Sequence, residues 1–372
     1  MIKNSNYFDV IILYSGSIAN SASDQNYRGK MPFTLHSRQY EYNDSYQYFL
    51  QSCHKNGLKA AFSTSKDIIG SGRCRSYWTY NKKWIRNFQP AASRLIFDKF
   101  TPKSPLQLKQ FELLIEGGKI NTFNSRRLTN IFQNKLRTYQ EFKEFAIPTV
   151  AFDHPTRRQL ILAKSKLDSI LLKHNFAHKF HDVYLVKDKH GAGGFNIYKL
   201  EFDKPGINGM IKQFKTDRQD NKSLSYVLQP FIDARDSFVI HKHTGLIDLR
   251  VILMHDQIIQ AYIRIAHPKN YKCNEHQGGN LVYIPLNAIP DDVRAMTAKI
   301  VKSLSGKADI QQSLYALDFM RDRQNGQLYF IEGNTNPGLD WNHAKDDNAR
   351  KSKDLINFIA KRLKTMSQNL AI

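Results

Sequence analysis

The chain has 372 residues, with 55 Lys and Arg against 33 Asp and Glu, a formal charge of +22. Charged residues make up 24% and hydrophobic ones 41%, which excludes a wholly disordered chain and a fibrous repeat. The length predicts two or three domains. The cysteines Cys53, Cys74 and Cys273 are far apart, which excludes a disulfide framework and a cysteine-based zinc site. No apolar run approaches the roughly 18 residues of a membrane span, and the expected location is a reducing cytoplasm. The positive excess suits a polyanionic partner or an acidic substrate. A basic surface also serves solubility, and no Lys/Arg block reads as a nucleic-acid tail.

In chain order, residues 9–13 form a β-branched run that ends at Ser15-Gly16 and reads as a strand. Helical spacing follows over 44–53, then a strand over 58–63. A hairpin spans 77–85 with its turn near Asn81, and a strand covers 94–97. A helix over 105–116 has Pro105 near its start and Gly117-Gly118 as its stop. This alternation predicts a small α/β domain with a largely parallel sheet over 1–120. Beyond it, 128–145 is mainly helical and 156–172 is an amphipathic helix. Strands follow at 183–187, 195–200 and 225–232. Two hairpins cover 246–265 and 314–332, separated by a helix over 291–304. A last helix uses Ile356, Ile359, Leu363 and Met366. Antiparallel hairpins with helices predict α+β architecture for 121–372.

The strongest chemical group lies near the C-terminus. Asp318 sits between Leu317 and Phe319 in an apolar strand, where a carboxylate needs a partner. Glu332 and Asn334 end the partner strand. Three hard oxygen donors brought together by one hairpin suit Mg²⁺, with Mn²⁺ as an alternative. Lys187 precedes a turn rich in glycine (Gly191, Gly193, Gly194), a strand–turn–strand able to close over phosphates. It is neither a P-loop nor a dinucleotide fingerprint, because a strand and not a helix follows the glycines. Lys135 stands at a helix start, usually a solvated position. Gln229, Pro230, Phe231 and Ile232 form a strand whose backbone could pair with an adenine edge. Arg250 and Arg264 occupy adjacent strands and suggest recognition of carboxylate or phosphate. An ion pair with Asp248 is the competing explanation, more so for Arg250 than for Arg264. Asn274 and Gly278-Gly279 make a polar loop near the metal group.

Four further features have plain explanations beside functional ones. His241 and His243 alternate on a strand as solvent-facing residues or a metal pair. Cys273 beside Lys272 could have a lowered pKa. Residues 70–76 could form an anion-binding turn. Tyr77, Trp78, Tyr80 and Trp84 among basic residues read as hairpin core, or as a stacking surface for single-stranded nucleic acid.

Taken in order, the stretch 248–266, then NEHQGG, LDFM and FIEGNTNPG, resembles the ATP-grasp superfamily, and within it the RimK-like ligases, over about residues 121–345. The resemblance implies an ATP-grasp domain over 121–372, divided near 224 into a central lid subdomain and a C-terminal metal-binding one that enclose the nucleotide, with Lys135 and Lys187 as the two nucleotide-binding lysines and Gly193 and Gly194 in the flap. It implies that Gln229 to Ile232 form the hinge against adenine. Asp318, Glu332 and Asn334 would hold Mg²⁺, and Asn336 and Gly338 would lie in the loop after them. Arg264 would hold an acyl phosphate, with Arg250 and Asn274 lining the site. The chain departs from many relatives at Asn134, where Asp precedes the first lysine, and at Asp188, where Pro follows the second. It also carries a loop about residues 235–245.

The function implied is an ATP-dependent carboxylate–amine ligase that makes an amide through an acyl phosphate and releases ADP and phosphate. Its substrates would be a carboxylic acid and the amine of an amino acid, a peptide or a protein terminus, and the N-terminal domain would contribute to the substrate face. An ATP-grasp kinase acting on a polyanionic small molecule is one alternative. A non-catalytic nucleic-acid-binding protein is another.

Overall fold

The apolar run near the N-terminus becomes the strand Val10–Tyr14 (β1), whose residues are all buried. Such a run is what a parallel strand covered on both faces requires. In this computed structural model, residues 5–37, 39–102, 104–173, 182–191, 193–220, 224–240, 242–339 and 346–370 are described. They form two units: 1–126 with 311–314 and 336–372, and 127–310 with 315–335.

In the first unit, helix Tyr42–Lys55 (α1) leads to Ala60–Thr64 (β2). The hairpin Tyr77–Asn81 (β3) and Lys83–Asn87 (β4) turns about Lys82, whose φ is 58°. Strand Leu95–Lys99 (β5), helix Pro105–Ile115 (α2) and the short Asn121–Thr122 (β6) complete a six-stranded sheet in the order β6-β5-β1-β2-β3-β4. The pairs among β6, β5, β1 and β2 are parallel, while β3 pairs antiparallel with both β2 and β4. Alternation along β1 sends Ile11 and Leu13 to a cluster with Leu114 of α2, while Tyr14 meets Tyr46 of α1 edge-on. The aromatic group near residue 80 is largely core: Trp78 is fully buried and Tyr77 and Trp84 are buried. Arg73–Cys74 and Ile68–Gly70 pair as strands of a small second sheet.

The C-terminal helix Asp346–Asn369 also belongs to this first unit, whereas the sequence reading joined it to 121–335. Its Asn357 Oδ1 accepts from Ser52 Oγ (2.8 Å) and Tyr48 Oη (3.2 Å) of α1. One helix's periodicity shows which of its faces is apolar, not which other helix covers it.

The second unit contains two antiparallel-rich sheets. Helices Arg126–Phe132 (α3) and Lys135–Glu141 (α4) lead to Val150–Phe152 (β7) and helix Arg157–Lys173 (α5). Val183–Asp188 (β8) and Ile197–Glu201 (β9) flank the Gly-rich turn, and helix Lys204–Asp220 (α6) precedes Tyr226–Pro230 (β10). These strands make a sheet in the order β7-β10-β8-β9. The lid sheet therefore extends past residue 224, because β10 pairs with both β7 and β8. Tyr184, Val186, Leu200, Tyr226 and Leu228 face α5 and α6 in one apolar cluster.

The other sheet takes Ile247–Met254 (β11), Gln257–Ile265 (β12), Asn280–Ile284 (β13), Leu314–Arg321 (β14) and Leu328–Asn334 (β15), in the order β13-β12-β11-β14-β15. Helix Asp291–Ser305 (α7) supplies Val293, Ile300 and Leu304 to its core. Leu249, Val251, Ile263, Leu317 and Phe319 lie in that same core. A strand alternates its faces, so the residues between them must occupy the opposite face.

Candidate active site

That opposite face carries the chemistry. On β11 it presents Asp248 and Arg250, on β12 Tyr262 and Arg264, on β14 Asp318, and on β15 Glu332. Asp248 pairs with Arg264, Arg250 with Tyr262, and Asp318 with Glu332. Two β-bulges set this arrangement. Counting from the turn at His255-Asp256 puts Arg250 opposite Ala261. A register shift after Ile252 adds one residue on β12 and brings Tyr262 there instead. On β15, Phe330 lies opposite Phe319 and Glu332 opposite Asp318, so Ile331 is the extra residue. Without it, Phe330 and Glu332 would share a face. With it, Phe330 enters the core and Glu332 joins the site. Gly333 follows because a Cβ there would lie 2.2 Å from the Phe132 ring.

Asp318 is fully buried and is held by both arginines. Arg250 donates from Nε to Oδ1 and from Nη2 to Oδ2, each at 2.5 Å, and Arg264 Nη2 donates to Oδ2 at 2.7 Å. Arg264 also grips Asp248 through Nε (2.6 Å) and Nη2 (2.8 Å), and Arg250 Nη1 donates to Tyr262 Oη (3.2 Å). The Asp248 ion pair is thus made by Arg264 and not by Arg250, reversing the order read from the sequence, where the bulge is invisible. Burial would raise the Asp318 pKa, but the two guanidiniums outweigh it and hold the carboxyl below its usual range. Burial pushes Asp248 upward, against the Arg264 charge and reinforced by Asp318.

The two lysines face this group. Lys135 is buried at the first position of α4, not solvated as a helix-start lysine usually is. Asn134 caps the helix by accepting from the Arg137 N–H (3.2 Å). Lys135 Nζ donates to the Gly191 carbonyl and lies 4.0 Å from Glu332 Oε2. Its own N–H donates to the Lys189 carbonyl (3.1 Å), docking the Gly-rich turn on α4. Lys187 is 6% exposed, and no acceptor for its ammonium exists among the described residues. Burial pushes its pKa down to about 8, while Glu332, Asp248 and Asp318 pull it back up.

Lys187 shares a sheet face with Leu185, Val227 and Gln229, because Lys187 pairs with Val227 and Leu185 with Gln229. Gln229 Nε2 donates to Thr149 Oγ1 (2.8 Å), whereas its Oε1 is buried without a partner among the described residues. A buried orphan acceptor costs about 1–3 kcal/mol unless a ligand donor reaches it. Phe231 lies under Lys199 Nζ, 4.8 Å from the ring centroid. Pro230 ends β10, and Ile232 is buried beside Ile147. These features fit a nucleotide: an apolar floor, one unmet acceptor for an amino group, and a buried cation without an anion.

The flap glycines adopt left-handed backbone, with φ of 70° at Gly193 and 78° at Gly194. A Cβ on Gly194 would lie 2.6 Å from Asn274 Oδ1, so the turn packs on the 266–279 loop. Tyr271 fixes that loop to β9, donating to the Ile197 carbonyl (3.1 Å) and accepting from the Lys199 N–H (3.2 Å). The Asn274 carbonyl accepts from Gln277 and Gly279.

The donor set also fits Mg²⁺. A carboxylate has about four lone-pair positions. Three N–H groups engage Asp318, which leaves one position on Oδ1. Glu332 retains 25% side-chain exposure, and Asn334 lies two residues further along β15. Among the described residues no group of three His, Cys, Asp or Glu forms a metal cluster, and the third oxygen donor expected from the sequence, Asn334, is an amide.

His241 lies outside the described residues. Burial raises the Cys273 pKa well above its usual value, the opposite of the lowered value expected beside Lys272. Tyr262, Thr149 and Lys199 were not found from the sequence. Tyr262 depends on the bulge register, and nothing near Thr149 or Lys199 marks them.

The fold matches D-alanyl-alanine synthetase A from Vibrio cholerae (TM-score 0.58, 12% identity, 96% of this chain and 98% of that one). It also matches D-alanine–D-alanine ligase from Bacillus anthracis, a structure complexed with ATP (TM-score 0.55, 12% identity, 99% of this chain and 100% of that one). The architecture is therefore the ATP-grasp fold. Residues 161–359 match the RimK-like ATP-grasp domain, and the chain belongs to that family. A curated relative, a probable alpha-L-glutamate ligase 2 from Shewanella denitrificans, is 25% identical over 195 residues. That stretch is 52% of this chain and 58% of the relative, so the match spans less than two thirds of the relative's length.

Proposed function

We propose that the protein is an ATP-dependent carboxylate–amine ligase that joins an amino acid to an acid through an acyl phosphate. The observation that carries this reading is the single sheet face on which Arg250, Arg264, Asp318 and Glu332 meet Lys135 and Lys187. Four cations there face three carboxylates, counting Asp248, an excess that favours polyphosphate. Family membership and the curated relative's name support an amide-forming reaction and make L-glutamate the first amine to test.

In this reading Lys135 releases the Gly191 carbonyl and, with Lys187, binds the triphosphate. Gln229 Oε1 accepts from the adenine amino group, over Val227 and Leu185. Asp318 Oδ1, Glu332 and Asn334 would hold Mg²⁺ or Mn²⁺, which when bound neutralises phosphate charge. The remaining Arg264 Nη1, with no acceptor among the described residues, points to the substrate carboxylate and the phosphoryl group it receives. Arg250 and Asp248 keep Arg264 and Asp318 in place, so stabilisation is preorganised and not built during the reaction. The amine then attacks the acyl carbon, and phosphate leaves. The Gly-rich turn and the Asn274 loop keep water from the intermediate.

The test is hydroxylamine trapping with Mg-ATP and a panel of peptide and amino acids, beside Glu332→Gln. A hydroxamate formed with matching ADP, and absent in the variant, is the expected result. A stable phosphoester without hydroxamate would replace the ligase with a kinase.

A further inference from the structure

The outer face of the lid sheet has a charge asymmetry that the ligase reaction does not use. Helices α5 and α6 cover that sheet side by side, and Arg157 at the start of α5 donates to Asn208 of α6. Asp168 and Asp217, the acids described on these helices, are engaged by tyrosine hydroxyls of the sheet. Asp168 accepts from Tyr184 Oη (2.9 Å) and Lys164 Nζ (2.8 Å). Asp217 accepts from Tyr198 Oη (2.9 Å), Tyr226 Oη (2.7 Å) and Gln213 Nε2 (2.7 Å). Six cations turn outward. Arg158, Lys166 and Lys173 on α5 and Lys204, Lys212 and Lys215 on α6 are all exposed. Among the described side chains of the two helices, none of these six has a carboxylate partner. Sequence composition shows the +22 charge, but only the fold shows that here it is sorted by face.

We infer that this face is a docking surface for the phosphate backbone of a nucleic acid. Each helix of 17 residues is about 25 Å long, and two side by side give a strip matching the phosphates of a short duplex segment. Duplex nucleic acid presents about one negative charge per 1.7 Å of axis, so six unpaired cations meet a continuous supply of anions. Ser165, Ser169, Asn208 and Thr216 lie exposed between the cations, and hydroxyls and amides of this kind are ordinary phosphate donors. No exposed aromatic side chain interrupts the face among its described residues, so base stacking contributes nothing and binding is sequence-independent. The surface would tether the enzyme to a nucleic-acid-bound substrate or assembly while the site stays free.

The test measures anisotropy of a labelled 20-base-pair RNA duplex between 50 and 200 mM KCl. The intact protein is compared with the triple variant Lys166→Glu, Lys212→Glu, Lys215→Glu. A control triple, Lys143→Glu, Lys299→Glu, Lys302→Glu, makes the same change in net charge at exposed lysines lining a separate groove. All six side chains are exposed, so both variants should keep the wild-type Tm. The expected result is a loss of at least about tenfold in affinity for the lid variant, with the log–log salt slope reduced by between roughly two and three. The control should lose much less. Equal losses in the two variants would reduce the effect to net charge and overturn the assignment. So would absence of duplex binding, or stronger retention on poly-L-glutamate or on anionic phosphatidylserine vesicles, which the exposed Leu162 and Leu172 could engage.

Discussion

Lys187 and Asp318 are opposite solutions to burying a charge. Asp318 is satisfied by two arginines within the protein, whereas the Lys187 ammonium has no acceptor among the described residues. The pKa of Lys187 is pushed from 10.5 to about 8. Between these values the unfolded chain binds more protons than the folded one, so this group makes stability rise with pH across that window. Urea titrations from pH 7.5 to 10.5 should show that rise, and Lys187→Met should remove its share. ATP affinity should run the other way, weakening above about pH 8 as the ammonium is lost. Asp318→Asn would leave the buried Arg250 without a carboxylate and Arg264 with Asp248 alone, a loss of about 3–5 kcal/mol, measurable as a lower urea midpoint. Asp318 was legible in the sequence because a carboxylate between Leu317 and Phe319 demands a partner. Its partners were not, since Arg250 and Arg264 reach it only through sheet neighbours distant in sequence.

Strand and helix positions were largely legible, because period-2 and period-3.6 patterns are local. Register was not. Both bulges lie within runs that are apolar on either side, Ile252–Leu253 against residues 258–260, and Phe330–Ile331, so nothing local marks the extra residue. Their effect is large, since each moves a charged side chain onto the site face. Gly333 records one of these constraints. Gly333→Ala must displace the Phe132 ring, and overpacking of this kind costs about 1–3 kcal/mol, to be read as a lower Tm. The flap was visible as a Gly-rich turn, but its anchor was not. Tyr271→Phe removes the hydroxyl that accepts from the Lys199 N–H. Hydrogen exchange at Lys199 should quicken by roughly fivefold, the change that a bond of about 1 kcal/mol gives, while β8 and β10 amides, paired within the sheet, should be unaffected.

At the scale of the molecule, the fold class followed from the order of elements: a mainly parallel sheet first, antiparallel hairpins afterwards. The placement of the C-terminal helix did not, because its apolar face fits any apolar partner of similar curvature. Charge divides along the same line. Its total was plain in the composition, but its sorting onto α5 and α6 required knowing that Asp168 and Asp217 are taken by tyrosine hydroxyls. In the proposed reaction, the four cations and three carboxylates around Lys187 move a phosphoryl group onto a carboxylate. The most direct measurement starts from an acid substrate carrying ¹⁸O in its carboxyl group, incubated with the protein, Mg-ATP and L-glutamate. Mass spectrometry of the released phosphate should show one ¹⁸O per turnover, left behind when the amine displaces the acyl phosphate. Amide formed with unlabelled phosphate would contradict the account.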